Sequence, residues 1–175
     1  FMTQLFPIIL AAGQGTRMRS SLPKVLHTVA GKAMLQHVID ACEHLGAERL
    51  AVVYGHGGEQ VRQQIKGKHL LWARQAEQKG TGHAVKQAID LADDHALVII
   101  AYGDVPLIRS ETLQRLAAGL GLSTLCVLTT FLDQPKGYGR VVRDAGHGGV
   151  KAIVEEKDAT DAIRQIKEVN TGFMA

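Results

Sequence analysis

Phe6-Pro7-Ile8-Ile9-Leu10-Ala11-Ala12-Gly13-Gln14-Gly15-Thr16-Arg17-Met18 is the stretch on which the reading of this chain turns. An apolar run stops at two alanines and two closely spaced glycines, and Arg17 follows at once. Leu22-Pro23-Lys24-Val25-Leu26 then adds a second cation. The pattern predicts a buried first strand emptying into a glycine-rich loop. Glycine admits positive φ and lets a ligand approach the main chain closely, and successive N–H groups in such a loop form an anion cradle. With Gly13 and Gly15 in the loop, Arg17 and Lys24 are placed to meet phosphate. Two other phosphate loops are ruled out by the letters. There is no Gly, four residues, then Gly-Lys-Ser/Thr, and Met18 takes the place of the third glycine of a dinucleotide fingerprint. A simple tight turn is the competing reading of Gly13-Gln14-Gly15 taken alone.

Working outward, apolar runs alternate with amphipathic segments, the pattern of repeated β-α units. Strands are expected at about Phe6–Ala11, Leu50–Tyr54, Leu70–Ala73 and Ala96–Ala101, the last a central parallel strand buried on both faces. Helices are expected at Met34–Leu45, Gly57–Ile65, Gly80–Leu91 and Ser110–Ala118. In the first, Leu35, Val38, Ile39 and Cys42 share a face. In the third, Ala84, Val85, Ala88 and Ile89 point inward. In the fourth, Ser110 is expected as N-cap and Glu111 lies in the first turn. Leu122–Phe131 is strand-like. From Gly137 onward the pattern shifts to shorter strands, at Tyr138–Arg143, Val150–Glu155 and Ile166–Gly172, with Asp144–Gly149 as a hairpin turn. The fold class is therefore α/β, a Rossmann-like three-layer domain around a mostly parallel mixed sheet.

Composition narrows the classes. With 175 residues of which 46% are apolar, one compact domain with a self-sufficient core is expected. The net charge of +3 is mild and its basic residues are scattered, which does not suit a nucleic-acid binder. The N-terminal apolar run is too short for a membrane span and lacks a basic leader. Cys42 and Cys126 are far apart, outside any metal-ligand spacing, and read as reduced, buried thiols of a cytoplasmic protein.

In an open parallel sheet, ligands lie beyond the carboxyl ends of the strands. Four loops would therefore share one edge: Gly13–Arg17, Gly55-His56-Gly57-Gly58, Gln75 with Gly80-Thr81-Gly82, and Tyr102-Gly103-Asp104-Val105-Pro106. Asp104 is a lone carboxylate at the mouth of an apolar strand. A magnesium ion held by one or two carboxylates plus substrate phosphates would satisfy it; a helix N-cap is the other reading.

Leu10-Ala11-Ala12-Gly13-x-Gly15-Thr16-Arg17-Met18 with Pro23-Lys24 resembles the sugar-nucleotide pyrophosphorylases. Six further motifs make the match specific over nearly the whole chain. They are Tyr54-Gly55-His56-Gly57-Gly58, Gln75-Ala76-Glu77-Gln78-x-Gly80-Thr81-Gly82-His83-Ala84, Tyr102-Gly103-Asp104-Val105-Pro106-Leu107, Gly137-Tyr138-Gly139-Arg140, Ile153-Val154-Glu155 and Asn170-Thr171-Gly172. Together they are similar to the bacterial bifunctional uridylyltransferase/acetyltransferase branch of that family.

The resemblance implies roles. Leu10, Ala11, Ala12 and Gly13 would lie against the nucleotide, with Gly13, Gly15, Arg17 and Lys24 near its phosphates. Gln75 and Gly80 would read uracil, with Thr81 nearby. Tyr102, Gly103 and Asp104 would line the ribose and Mg2+ region. Gly139, Glu155 and Asn170 would hold N-acetylglucosamine; singly, each has a plain reading as turn glycine, solvated charge or loop amide. Arg17, Lys24 and Asp104 would carry catalysis. The implied reaction joins UTP to N-acetylglucosamine 1-phosphate, giving UDP-N-acetylglucosamine for peptidoglycan and lipopolysaccharide precursors. Residues 2–175 would form the uridylyltransferase domain, incomplete at its C-terminus. A second metal ligand, the acetyl-transferring left-handed β-helix and a homotrimer would belong to the full-length protein. Another sugar-1-phosphate nucleotidyltransferase and a non-catalytic nucleotide-binding module are the alternatives.

Overall fold

The structure, a computed structural model, describes residues 4–13, 15, 18, 20–55, 57–121 and 124–175. Its centre is four parallel strands: β1 (Leu5–Ala11), β4 (Leu50–Tyr54), β5 (Leu70–Arg74) and β6 (Leu97–Tyr102), in the order β5-β4-β1-β6. A small hairpin, β2 (Thr28–Val29) and β3 (Lys32–Ala33), pairs separately. Beyond β6 the sheet turns antiparallel. β10 (Glu168–Met174) pairs with β6, with β7 (Val127–Phe131) and with β8 (Arg140–Arg143), and β8 pairs with β9 (Val150–Val154).

The parallel strands are continuous aliphatic runs because helices cover both of their faces. On one side α1 (Met34–His44), α2 (Glu59–Gln64) and α4 (Ser110–Ala118) bury Leu35, Val38, Ile39, Val61 and Leu113 against Ile9, Val52 and Ile99. On the other, α3 (Thr81–Lys86) packs Ala84 against Phe6, Ile8, Ala51 and Val53. α5 (Asp161–Arg164) is a single turn before β10, capped by the Thr160 side chain, which accepts from Ile163 N. Three layers result, as expected.

Several expectations need correction. The third helix ends at Lys86, and a separate 3-10 turn covers Ile89–Leu91, so Ile89 is exposed rather than inward. Ala84 and Ala88 are buried as expected. The short side chains of Ala84 and Ala88 hold this helix close to the sheet, and the turn at Gln87 and Ala88 rotates Ile89 away. Ser110 does not cap α4; Arg109 occupies that position and Ser110 is the first helical residue. β6 is fully buried on one face only, at Ile99 and Ala101; Val98 and Ile100 are partly covered because α3 is short. The strand expected at 122–131 begins at Val127, and Leu122 and Ser123 lie outside the described residues. Cys42 is buried but Cys126 only partly so, and both are free thiols. Asp144–Gly149 does join the β8-β9 hairpin: Gly149 O accepts from Asp144 N at 2.8 Å, and Asp144 Oδ1 caps Gly146 N at 2.7 Å.

Candidate functional site

The carboxyl ends of β1, β5 and β6 open on one cleft of about 320 Å³. Leu10, Ala11, Ala12 and Gly13 form one wall, Gln75, Gln78, Gly80 and Thr81 another, and Tyr102, Asp104 and Lys24 the third. Gly55, Gly57 and Gly58 line an adjoining cleft that shares Ala11–Gly13. The four loops thus share one edge, as the parallel topology requires.

Local sequence explains each placement. Pro23 enters a 3-10 turn over Lys24–Leu26 whose Val25 and Leu26 are sunk in the core, so Lys24 projects toward the cleft. Gly15 has φ +60° and passes so close to Lys24 that a Cβ would come within 2.7 Å of the Lys24 Cβ. Only glycine combines that backbone with that approach. Gly103 N donates to Leu10 O at 2.9 Å, tying the fourth loop to the first. Gln78 Nε2 donates to Ala12 O at 2.6 Å, tying the third loop to the first. Gln75 is buried in the wall, where its Nε2 lies 3.1 Å from Gly80 O and from His83 Nδ1.

Lys24 and Asp104 meet directly. Lys24 Nζ donates to Asp104 Oδ2 at 2.5 Å, and each side chain is about a third exposed, 32% and 31%. An ion pair that open to water adds only about 0–1 kcal/mol to stability. It is therefore readily exchanged for a charged ligand, and its chemistry is that of an acceptor and a cation held ready at one spot. The N-cap alternative for Asp104 is not realised: the nearest helix, α4, begins at Ser110.

Tyr102 divides the cleft from a second cluster. Burial pushes its hydroxyl pKa up, opposed by the Thr81 hydroxyl and reinforced by the charges of Asp104 and Glu155. Its ring packs on Phe173 at 5.8 Å. Gly172, at φ +88°, lies under that ring, and a Cβ there would meet the Tyr102 Cε2 at 2.6 Å.

The antiparallel pairing of β10 with β6 carries Asn170 past the end of β6, to the edge where Asp104 sits. Asn170 N donates to Gly139 O at 2.9 Å, and its side-chain Oδ1 accepts from Gly172 N at 2.9 Å. The Glu155 carboxylate lies over Gly139, whose added Cβ would meet Glu155 Oε1 at 3.0 Å. Gly139, Glu155 and Asn170 are thus gathered together, beyond Tyr102 from the cleft. Arg17 lies outside the described residues. Gln78 and Val25, given no site role from the sequence, also line the cleft, as does Ala84, expected only to face inward. Gln78 stood within a quoted motif, and an amide there was the available signal.

Residues 7–168 match the family described as MobA-like NTP transferase domain. The chain is 59% identical over 167 residues to the bifunctional protein GlmU of an Azoarcus species, covering 95% of this chain and 37% of that protein. It is 55% identical over 174 residues to the bifunctional protein GlmU of Marinobacter nauticus, covering 99% of this chain and 38% of that one. The chain thus spans little more than a third of the length of these relatives. A crystal structure of a UDP-glucose pyrophosphorylase complexed with UDP-glucose shares the fold, with a TM-score of 0.80 at 17% identity, covering 98% of this chain and 75% of that one. Among the described residues no helix is long and apolar enough to cross a membrane.

Proposed function

The chain belongs to the MobA-like NTP transferase domain family and is a nucleotidyltransferase, and from that premise we propose that it transfers UMP from UTP to N-acetylglucosamine 1-phosphate. A phosphate oxygen of the sugar phosphate attacks the α-phosphorus of UTP. The new P–O bond forms as the bond to the β-phosphate breaks, and pyrophosphate leaves with UDP-N-acetylglucosamine as the other product. The nucleophile is already an anion, so no general base is needed. Catalysis is then positioning and charge neutralisation.

The observation that carries this reading is the meeting of Lys24 and Asp104 at the mouth of a cleft walled by the β1 loop and by Gln75 and Gly80. The β1 loop, with Gly13 and Gly15, receives the triphosphate, and Lys24 offsets its charge, with Arg17 assigned the same work. Gln75 and Gly80 suit uracil, which presents one N–H between two carbonyls and asks for an amide and backbone groups. Tyr102 and Gly103 border the ribose, and Gly139, Glu155 and Asn170 supply the mixed donors and acceptors that sugar hydroxyls require.

The donor set also suits a magnesium ion. Among the described residues no three acidic, histidine or cysteine side chains come together, and magnesium is commonly bound by one or two carboxylates with its shell completed by phosphate and water. Asp104 is the residue that would hold it, and the ion would supply neutralising charge to the phosphate oxygens. We place the chain in the cytoplasm, in the supply of cell-wall and lipopolysaccharide precursors. Acetyl transfer and trimer assembly we assign to parts of the full-length protein outside residues 2–175.

Pyrophosphate release from UTP, dTTP and CTP, each with N-acetylglucosamine 1-phosphate and magnesium, tests the reading. Release with UTP well above the other two is expected. Equal release from all three contradicts the assignment of Gln75 and Gly80, and none from any of them contradicts N-acetylglucosamine 1-phosphate as the acceptor.

A further inference from the structure

Among the described residues Arg140 is the largest fully buried side chain, and none of the chemistry above uses it. It opens β8, with Val154 of β9 on one side and Val169 of β10 on the other. Its guanidinium binds three separate segments. Nη1 donates to Tyr138 O, and Nη2 donates to Glu156 Oε2 at 2.8 Å and to Arg164 O at 3.4 Å. The same Glu156 oxygen accepts from Gly137 N at 3.0 Å. Its Nε is buried without a partner among the described residues.

These partners bracket the second cluster. Gly137, Tyr138 and Arg140 surround Gly139 in sequence, Glu156 follows Glu155, and Val169, paired with Arg140, precedes Asn170. A buried ion pair is poor evidence of a stabilising role, and an orphaned buried N–H opposes folding. The arrangement does more for geometry: a rigid fork of donors fixes three carbonyl and carboxylate positions at once, which a lysine ammonium cannot reproduce. We propose that Arg140 and Glu156 form a clasp that positions Gly139 and Glu155 for the sugar phosphate without touching it. This rests on the assignment of Gly139, Glu155 and Asn170 to the sugar given above. Arg140 and Glu156 are positioning residues, and the clasp acts on sugar recognition and not on the nucleotide.

The test compares Arg140→Lys and Glu156→Ala with the unaltered full-length protein, with Lys167→Ala as a control. Lys167 belongs to an exposed pair with Asp133 in the same half of the molecule. Thermal unfolding establishes that each variant folds, and Glu156→Ala serves where Arg140→Lys does not. KM for N-acetylglucosamine 1-phosphate is expected to rise about tenfold in both clasp variants, the loss that one or two misplaced hydrogen bonds to the sugar would give. The kcat at saturating sugar phosphate and the calorimetric Kd for UTP are expected to stay within about twofold, and Lys167→Ala to match the unaltered protein. Equal weakening toward UTP and sugar phosphate, an unchanged sugar KM, or the same loss in Lys167→Ala overturns the clasp. An unaltered protein that binds UTP yet ignores N-acetylglucosamine 1-phosphate overturns the sugar assignment itself and the clasp with it.

Discussion

The two halves of the sheet are held together by different means. The parallel half, β5-β4-β1-β6, is fixed by apolar packing: Ile8, Ile9, Val52 and Ile99 are wholly buried, and its charged groups lie at the surface. The antiparallel half, β10-β8-β9 with β7, buries Val141, Val169 and Phe173 and also buries charge. Glu168, nearly buried, takes a two-pronged grip from Arg143 at 2.6 and 2.7 Å and a hydrogen bond from the Thr129 hydroxyl at 2.7 Å. Arg140 and Glu156 make a second such link. The contrast teaches where function can be separated from stability. In the parallel half the ion pair at the cleft is expendable to the fold; in the antiparallel half the Arg143–Glu168 pair adds to stability, while Arg140–Glu156 fixes the position of neighbouring segments.

The sharpest break of this comparison lies at Lys24 and Asp104. Losing a preorganised electrostatic contact costs about 3–4 kcal/mol of barrier, or roughly 10²–10³ in rate. Lys24→Ala and Asp104→Ala should each slow kcat by that factor while the unfolding midpoint in urea stays near that of the unaltered protein. By contrast, Ile99→Ala in the same half should cost about 2–5 kcal/mol of stability, read from the same melts, because it opens a cavity under a covered sheet.

Acid should reveal the other half. The Arg143 hydrogen bond holds the Glu168 carboxyl below its ordinary 4.5, against the opposing effect of burial. Glu156 is lowered as well, first by the Gly137 N–H and then by Arg140. A carboxyl depressed in the folded state stabilises fully above its unfolded pKa, and that contribution is lost as pH falls through the lower folded value. Stability should therefore fall as pH drops below 4.5, and Glu168→Gln should flatten that fall in urea melts. The smallest effect concerns thiols. Burial pushes Cys42 up to about 12, so a thiol reagent should label Cys126 in the folded protein and reach Cys42 only on unfolding. Equal labelling rates would contradict the close packing of α1.

The same contrast governs what could be read from the sequence. The parallel half was legible because continuous aliphatic runs and glycine-rich loops are local signals; β4 runs over Leu50–Tyr54, as its five apolar letters foretell. Topology then gathered the loops at one edge without further information. The third helix misled because Ile89 keeps helical spacing, while a turn at Gln87 and Ala88 breaks the register. The antiparallel half was less legible. Arg140 and Glu168 look like surface charges in a polar stretch, and only partners 16 and 25 residues away make them buried. Lys24 and Asp104 were each singled out for phosphate chemistry, but their contact spans 80 residues and no local pattern reveals it.

The central claim is that the open edge of the parallel strands seats a nucleoside triphosphate. A crystal structure of the protein with UTP and magnesium tests it most directly. Triphosphate oxygens against Gly13 and Gly15, the Lys24–Asp104 contact parted around them, and uracil beside Gln75 are expected. A nucleotide bound elsewhere, with Lys24 still on Asp104, would contradict it.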